Sequence, residues 1–265
     1  MSGGGGAARE ELKFQAETPF VRRFTVNGLQ IDTFCFLRPR SGRIAFLGQS
    51  ALTRENKDRG LPFFFRNSWV PDLDCSTVIF NDPTLYLYDD LLCGWSQGSP
   101  EHFAIPAMGK TCEAFLAALG PDTRPGFYGS SAGGFWALFM AALFDAPCVV
   151  ETPQTDMFAY PLMEPREHLF RRCYRDHGLA PEAFRHRLSV VDWYEHLGAF
   201  PRRISYFQSR RDTGHAESQM RPFLERMKGR PCQVSEALYD RPAESNAHGP
   251  MQKGASLMAI RSLFD

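Results

Sequence analysis

The segment Gly129-Ser130-Ser131-Ala132-Gly133 constrains the fold more than any other part of this 265-residue sequence. A short apolar run, 126–129, leads directly into it, and the run 135–144, apolar almost all round, follows it. The second run predicts a helix buried against a sheet. The two glycines flank Ser131 where a strand and a helix joined by so short a turn pass too closely for a side chain. The sequence therefore predicts a cramped strand-turn-helix unit with Ser131 at its corner.

The neighbouring serine fits this corner less well. Counted from Ser130, the flanking positions are Tyr128 and Ala132, and a tyrosine is hard to pack in so tight a turn. In the pattern G-x-S-x-G the central serine is a nucleophile, and the backbone N–H of the next residue helps to bind the oxyanion. We therefore expect Ser131 to be the nucleophile and Ala132 to supply one oxyanion donor.

Short β-type and helical runs alternate along the rest of the chain. Asn27-Gly28 separates the first two strands and predicts a hairpin. The predicted strands are 23–26, 30–37, 43–47, 76–80, 126–129, 148–151, 203–208 and 233–238, and the remaining predicted helices are 112–119, 217–227 and 252–264. This alternation predicts an α/β fold with a mostly parallel central sheet and helices on both faces.

The domain organisation is simple. Residues 1–18 hold a glycine run without an apolar stretch, which predicts a flexible leader and no secretory signal. Residues 19–265 are expected to form one domain. Within it, residues 156–200 are helical, charged and aromatic, and an insertion of that length between core strands predicts a helical lid over a site.

A serine needs two partners to act as a nucleophile. A histidine takes its proton, and a carboxylate fixes the tautomer of that histidine. In the strand-turn-helix context the order along the chain is serine, acid, histidine. Asp212 lies just past the strand 203–208, and His248 lies in the loop after the strand 233–238, so we expect them to complete a triad. The sequence leaves open His215 as the base and Asp156 or Asp240 as the acid.

Each triad partner also has a plainer explanation. His248 fits an exposed loop histidine, and Asp212 fits a surface ion pair with Arg210 or Arg211. The second oxyanion donor is equally open. Gln49 and Ser50 follow Gly48 at the end of the strand 43–47, where a second backbone N–H is expected, but an ordinary exit from a strand explains them as well.

The segment 129–133, with Asp212 and His248 in that order, resembles the α/β-hydrolase superfamily from residue 23 to the C-terminus. The resemblance implies a serine hydrolase that acts on a carboxylic ester, or an acyltransferase with the same triad. Residues 78–85, followed by Gly94-Trp95, are similar to bacterial hydrolase-like proteins of surface-glycan synthesis, some of which are sugar O-acyltransferases. This second likeness implies an acylated glycan or another small ester as substrate.

Two residues near the corner are candidate substrate contacts. Trp95 belongs to a set of aromatic residues that could line an acyl or sugar pocket, although such residues more often fill a core. Ser130 directly precedes the predicted nucleophile. The non-enzymatic alternative is a hydrolase-like scaffold that keeps the corner for packing and binds a partner through its lid.

A second motif points to nucleotide binding. Residues 104–111 satisfy the loose form of a phosphate-binding loop, ending in Gly109-Lys110-Thr111. Against this, Pro106 lacks the N–H that such a loop uses to hold phosphate, and no clear strand precedes the segment. Nucleotide binding is therefore the weaker alternative.

Composition excludes several classes of function. The chain has 30 Lys and Arg residues and 30 Asp and Glu residues, so it has no net charge that would attract nucleic acid or an anionic membrane. No apolar run is long enough for a membrane span. Seven dispersed cysteines in apolar runs indicate free thiols and a cytoplasmic protein. No zinc-binding spacing is present, and we expect neither a metal nor a cofactor. The sequence does not indicate an oligomeric state.

Overall fold

The computed structural model describes residues 14–265, so most of the predicted leader 1–18 lies outside the described part. Eight strands form one sheet in the order β1-β2-β4-β3-β5-β6-β7-β8. Their bounds are β1 Phe20–Val26, β2 Leu29–Phe36, β3 Arg43–Leu47, β4 Ser76–Phe80, β5 Arg124–Ser130, β6 Pro147–Glu151, β7 Arg203–Ser209 and β8 Gln233–Tyr239. All eight predicted strands are confirmed, and the largest difference is the earlier start of β1.

The sheet is antiparallel at one end and parallel elsewhere. β1 and β2 form the predicted hairpin, with Val26 paired to Leu29, and β2 also runs antiparallel to β4. From β4 onward every pairing is parallel. The carboxyl ends of the parallel strands therefore meet at one edge of the sheet, which is where parallel α/β sheets carry their functional loops.

Helices cover both faces of the sheet. Their bounds are α1 Arg54–Asp58, α2 Thr84–Leu87, α3 Ala104–Leu119, α4 Ala132–Leu143, α5 Met163–Cys173, α6 Arg185–Leu188, α7 Val190–Leu197, α8 Thr213–His215, α9 Arg221–Met227 and α10 Lys253–Arg261. Phe46 and Phe127 point to the face covered by α3 and α4, and Leu47 and Tyr128 point to the face covered by α10. This is the period-two alternation expected when a sheet is buried on both sides.

The strand order places two loops side by side. β3 lies between β4 and β5. After β3 the chain forms β4 on one side of it and then crosses over to form β5 on the other side. Loops that diverge from adjacent strands in this way open a crevice at the carboxyl edge. The loop after β3 begins at Gly48, and the turn after β5 holds Ser131.

Helix α3 corrects the prediction for its region. The helix begins at Ala104, eight residues before the predicted start at residue 112, and it includes Pro106 in its first turn. Proline is tolerated there because the first N–H groups of a helix have no partner within the helix. Residues 104–111 are therefore helical and not a loop, which argues further against the alternative of a phosphate-binding loop.

The segment 156–200 is helical as expected, but its end belongs to the covering layer of the sheet. Trp193 and Tyr194 of α7 donate hydrogen bonds from their side chains to carbonyls of α4, at 3.2 and 3.1 Å. The beginning of the segment lies over the carboxyl edge, where the ring of Tyr160 contacts those of Trp95 and His215. That this segment forms a lid over the site stays a prediction.

Among residues 14–265, no helix combines the length and apolar character needed to cross a bilayer. All seven cysteines lie in this part of the chain as free thiols, and six of them are buried.

Candidate active site

Ser131 lies at a sharp corner between β5 and α4. Its φ of 53° is in the left-handed region, which a residue with a side chain rarely adopts. The glycines on either side are required by space. A Cβ on Gly129 would lie 2.0 Å from the Gly133 carbonyl oxygen, and a Cβ on Gly133 would lie 2.6 Å from that of Gly48. The predicted steric role of the two glycines is confirmed.

The structure brings Ser131, His248 and Asp212 together in an unbroken hydrogen-bonded chain. Ser131 Oγ lies 2.8 Å from His248 Nε2, and His248 Nδ1 lies 2.6 Å from Asp212 Oδ2. A carboxylate can only accept, so the proton of the neutral imidazole lies on Nδ1 and Nε2 is free to accept the serine proton. The arrangement fits a hydroxyl whose proton can pass to a base.

The backbone of the loop that carries His248 accepts hydrogen bonds from side chains of three other segments. Thr152, just after β6, donates from Oγ1 to the His248 carbonyl at 3.2 Å. Tyr239, at the end of β8, donates from its hydroxyl to the Gly249 carbonyl at 2.8 Å. Arg211 donates to the Ser245 carbonyl at 3.0 Å. Because these contacts fix the loop, the imidazole is held at a defined position.

Asp212 is buried and accepts hydrogen bonds from two imidazoles. Its Oδ2 faces His248, and its Oδ1 accepts from Nδ1 of His215 at 2.9 Å. Burial raises the pKa of Asp212, but the N–H groups of His215 and His248 lower it by more, and the pKa lies well below its usual range. The alternative explanation of Asp212, a surface ion pair, does not fit the described residues, since Arg211 binds the histidine loop and Arg210 pairs with Asp240.

The predicted oxyanion donors lie on two segments that pack closely, since a Cβ on Gly133 would lie 3.2 Å from the Gln49 carbonyl carbon. The backbone N–H groups of Ala132, Gln49 and Ser50 make no hydrogen bond to any residue in the range 14–265. Free N–H groups on two converging loops are what an oxyanion hole requires. The side chain of Gln49 is occupied elsewhere, because its Oε1 accepts from the N–H of Asp82 at 2.6 Å.

Ser50 and Ser130 tie the two loops together. Ser50 donates from Oγ to the Ser130 carbonyl at 3.0 Å, and the two hydroxyls also lie 3.0 Å apart. Arg66, stacked over Trp69 and Tyr128, donates to Ser130 Oγ at 2.6 Å. Ser130 is 2% exposed, with its hydroxyl committed to Ser50 and Arg66, a position that does not fit the predicted contact with a substrate.

A glutamine absent from the sequence-based predictions lies at the centre of the site. Gln154 is buried, and its Nε2 lies 3.3 Å from Ser131 Oγ and 3.4 Å from His248 Nε2. Its orientation is defined because Oε1 accepts from the indole N–H of Trp95 at 3.0 Å, and an indole can only donate. Trp95, 3% exposed, therefore reaches Ser131 through Gln154, where a direct substrate contact was expected.

The alternative acids lie away from this arrangement. Asp156 accepts from the N–H of Phe158 at 2.8 Å and contacts Arg185, and Asp240 is exposed beside Arg210.

A signal for Gln154 did exist in the sequence, because it lies three residues after β6, at the same edge as the other loops.

Asp212, His215 and His248 are also the residues of the described chain that could hold a metal ion, with ligand atoms within 4.8 Å of one another. Both imidazoles already direct Nδ1 at the carboxylate oxygens, at hydrogen-bond distance. Each Nδ1 therefore carries a proton in this arrangement, which disfavours metal binding at those atoms.

Comparisons with known proteins identify relatives by structure alone. No protein-family model matches the sequence, and no curated protein matches it. An S-formylglutathione hydrolase from Agrobacterium tumefaciens is 16% identical, with a TM-score of 0.61, and covers 94% of each chain. The capsule O-acetyltransferase of Neisseria meningitidis serogroup A is 11% identical, with a TM-score of 0.63, covering 91% of this chain and 93% of that one.

A thermostable esterase from Pseudomonas putida is 14% identical, with a TM-score of 0.59, and covers 97% of this chain and 86% of its own. In all three cases the likeness extends over more than nine-tenths of this chain. The chain has the fold of the α/β-hydrolase superfamily.

Proposed function

We propose that this protein is a serine hydrolase that cleaves a carboxylic ester. The single observation that carries the proposal is the continuous chain from Ser131 Oγ through the His248 ring to Asp212, with contacts of 2.8 and 2.6 Å. Serine, base and orienting acid in hydrogen-bond contact are the requirement for covalent acyl chemistry. The esterases and the S-formylglutathione hydrolase among the structural relatives support the same class of reaction.

In the first half of the reaction, Ser131 Oγ attacks the ester carbonyl carbon and its proton passes to His248 Nε2. A bond forms between Oγ and carbon, and the carbonyl electrons move onto oxygen, where the N–H groups of Ala132 and of Gln49 or Ser50 stabilise the charge. The intermediate then expels the alcohol, which takes the proton from His248. Asp212 keeps the imidazole in the tautomer that accepts at Nε2 and stabilises the imidazolium.

In the second half, water takes the place of the alcohol. His248 removes a proton from the water as its oxygen attacks the acyl carbon, and Ser131 leaves with the proton returned to it. Gln154 fits both halves as a fixed donor to Ser131 Oγ, because its amide nitrogen lies 3.3 Å from that oxygen. A donor at this point directs the serine proton toward the histidine by occupying a lone pair of Oγ.

An ester panel tests the proposal. The purified chain is assayed with p-nitrophenyl esters of graded acyl length and with acetylated sugars. The proposal predicts turnover of at least one ester and a loss of about 10³-fold or more in kcat for Ser131→Ala. Ser68→Ala, an exposed serine in the turn after Arg66, is the matched control and keeps full activity. Equal rates in the Ser131→Ala and wild-type proteins would contradict the proposal.

Acyl transfer to an alcohol on the same triad is the second candidate. The observation that favours it is the likeness to the capsule O-acetyltransferase over more than nine-tenths of both chains. The two reactions share the acyl-enzyme and differ in whether water or a second alcohol removes the acyl group. Adding sugars to the ester assay distinguishes them, because a transferase releases p-nitrophenol faster with its acceptor and yields an acylated sugar.

A further inference from the structure

The carboxylate of Asp212 binds two histidines, one through each oxygen. His248 Nδ1 lies 2.6 Å from Oδ2, and His215 Nδ1 lies 2.9 Å from Oδ1. The two imidazole rings are stacked, with centroids 4.0 Å apart and planes inclined by 30°. The three side chains therefore form one packed unit. In it, His215 binds the second oxygen of Asp212 and covers one face of the His248 ring.

His215 is held in this position from its other side as well. It is 4% exposed, and its ring contacts that of Tyr160 edge to face, at 5.6 Å between centroids. Its Nε2 is buried without a hydrogen-bond partner among the described residues. A buried polar atom without a partner costs stability. A phenylalanine would pack here without that cost, so packing alone does not explain a histidine.

His215 is not placed to act as the general base. The atom of its ring that makes a hydrogen bond is Nδ1, which faces Asp212, and the base position next to Ser131 Oγ is held by His248 Nε2. A carboxylate with one fixed oxygen has little freedom to rotate about its Cβ–Cγ bond, since rotation breaks both short hydrogen bonds together. The second imidazole therefore fixes the plane of the carboxylate.

We propose that His215 is a positioning residue for the reaction. It locks Asp212 through Oδ1 and supports the His248 ring from one face, so that His248 Nε2 stays directed at Ser131 Oγ. This inference rests on the proposed triad and adds a fourth residue to it. The base must be correctly oriented in the transition state, whereas substrate binding does not require it. Loss of His215 should therefore lower kcat and leave KM nearly unchanged.

Two substitutions separate positioning from packing. His215→Phe keeps a flat ring against His248 and Tyr160 but removes the ring N–H to Asp212, leaving only the backbone N–H of residue 215 as a donor to Oδ1, at 3.4 Å. His215→Asn loses the ring but keeps an N–H at the same distance along the side chain, since its Nδ2 replaces Nδ1. His102→Phe, at an exposed histidine before α3, is the matched control. For each variant, kcat, KM and the melting temperature are measured with the best ester from the panel.

The inference predicts that His215→Phe lowers kcat by about 10- to 100-fold with KM within about 3-fold, while the protein stays folded with a melting temperature lowered by no more than about the loss of one hydrogen bond. It predicts that His215→Asn recovers most of kcat although it packs less well, and that His102→Phe behaves like wild type. A His215→Phe protein with unchanged kcat overturns the inference, as does a His215→Asn protein no more active than His215→Phe.

The two levels of the proposal fail in different ways. If Ser131→Ala retains full activity, the triad itself is wrong. If Ser131→Ala is inactive and His215→Phe is fully active, the triad stands and only the role of His215 is lost. A lower melting temperature in His215→Phe together with an equal loss in His215→Asn would assign His215 to packing and overturn the positioning role.

Discussion

Ser131 occupies a backbone conformation that costs energy, and three backbone hydrogen bonds hold it there. Its N–H donates to the Glu151 carbonyl at 3.0 Å, and its carbonyl accepts from Gly134 and Phe135 at 2.9 and 3.1 Å. A non-glycine residue at such a φ costs about 1–3 kcal/mol and persists only where its surroundings determine it. The strain has a use, since it turns the hydroxyl out of the strand and toward His248.

Substitution of Gln154 tests whether its amide acts in the chemical step, measured by kcat, or in substrate binding, measured by KM. We predict that Gln154→Ala lowers kcat by about 10-fold with little change in KM, because a donor to Ser131 Oγ is lost at a cost typical of one hydrogen bond. Trp95→Phe, which removes the N–H that orients the amide, should lower kcat in the same direction by less. Gln233→Ala, at an exposed position of β8, is the control. Full activity in Gln154→Ala would refute this role.

The lowered pKa of Asp212 makes a prediction about stability and pH. A carboxyl group whose pKa is lower in the folded than in the unfolded chain stabilises the fold above its unfolded pKa of about 4. The contribution is lost as pH falls toward the folded pKa. Asp212→Asn should therefore cost more free energy of unfolding at pH 6 than at pH 3, measured by urea titration.

The control for this measurement is Asp240→Asn, since Asp240 is exposed and contacts Arg210 at 3.5 Å. Such a surface pair contributes little, so its loss should change the free energy of unfolding by less than about 1 kcal/mol at both pH values. A cost for Asp212→Asn that is the same at pH 3 and pH 6 would contradict the electrostatic account of the site.

At the scale of elements, the junction of β5 and α4 determines whether the site forms at all. Gly129→Ala places a methyl group against backbone atoms of Gly133, which cannot move without displacing α4. We predict a loss of about 3 kcal/mol in the free energy of unfolding, the upper range for overpacking. Gly254→Ala in α10 meets nothing within 4 Å and should gain about 0.5 kcal/mol. Urea unfolding of both variants checks the pair, and equal stabilities would contradict the steric explanation.

Elements were predictable where one pattern controlled them. The strand at residues 76–80 is apolar throughout and ends at Asn81-Asp82-Pro83, so its bounds agree with β4. Helix α3 was predicted to begin eight residues late, because Pro106 has the same signature in the first turn of a helix as in a loop. The tertiary structure decides between the two, since this first turn packs into the core.

At the scale of the whole molecule, the sheet order assembles residues that are far apart in sequence. Ser131 and His248 are 117 positions apart, yet their side chains meet because β5, β6, β7 and β8 are parallel neighbours with their carboxyl ends at one edge. The strand-helix alternation predicted such an edge, and the motif selected Ser131. The loop positions of Asp212 and His248 followed from the same alternation.

The remaining contacts of the site could not be predicted from sequence. The bond from Gln154 to Ser131, the second imidazole on Asp212 and the link from Arg66 to Ser130 all depend on side-chain directions within loops. Loops carry no hydrophobic period that fixes which way a side chain points. The sequence therefore identified the edge and its principal residues, and the structure supplied the contacts that orient them.

The central claim is that Ser131 is made reactive by His248, and a covalent probe tests it most directly. The folded chain is treated with a serine-directed fluorophosphonate, digested, and mapped by mass spectrometry, in parallel with His248→Ala. We predict a single adduct on the peptide that contains Ser131, formed at least about 100-fold more slowly in His248→Ala. A wild-type protein that stays unlabelled at Ser131, or a His248→Ala protein labelled at the same rate, would contradict the account.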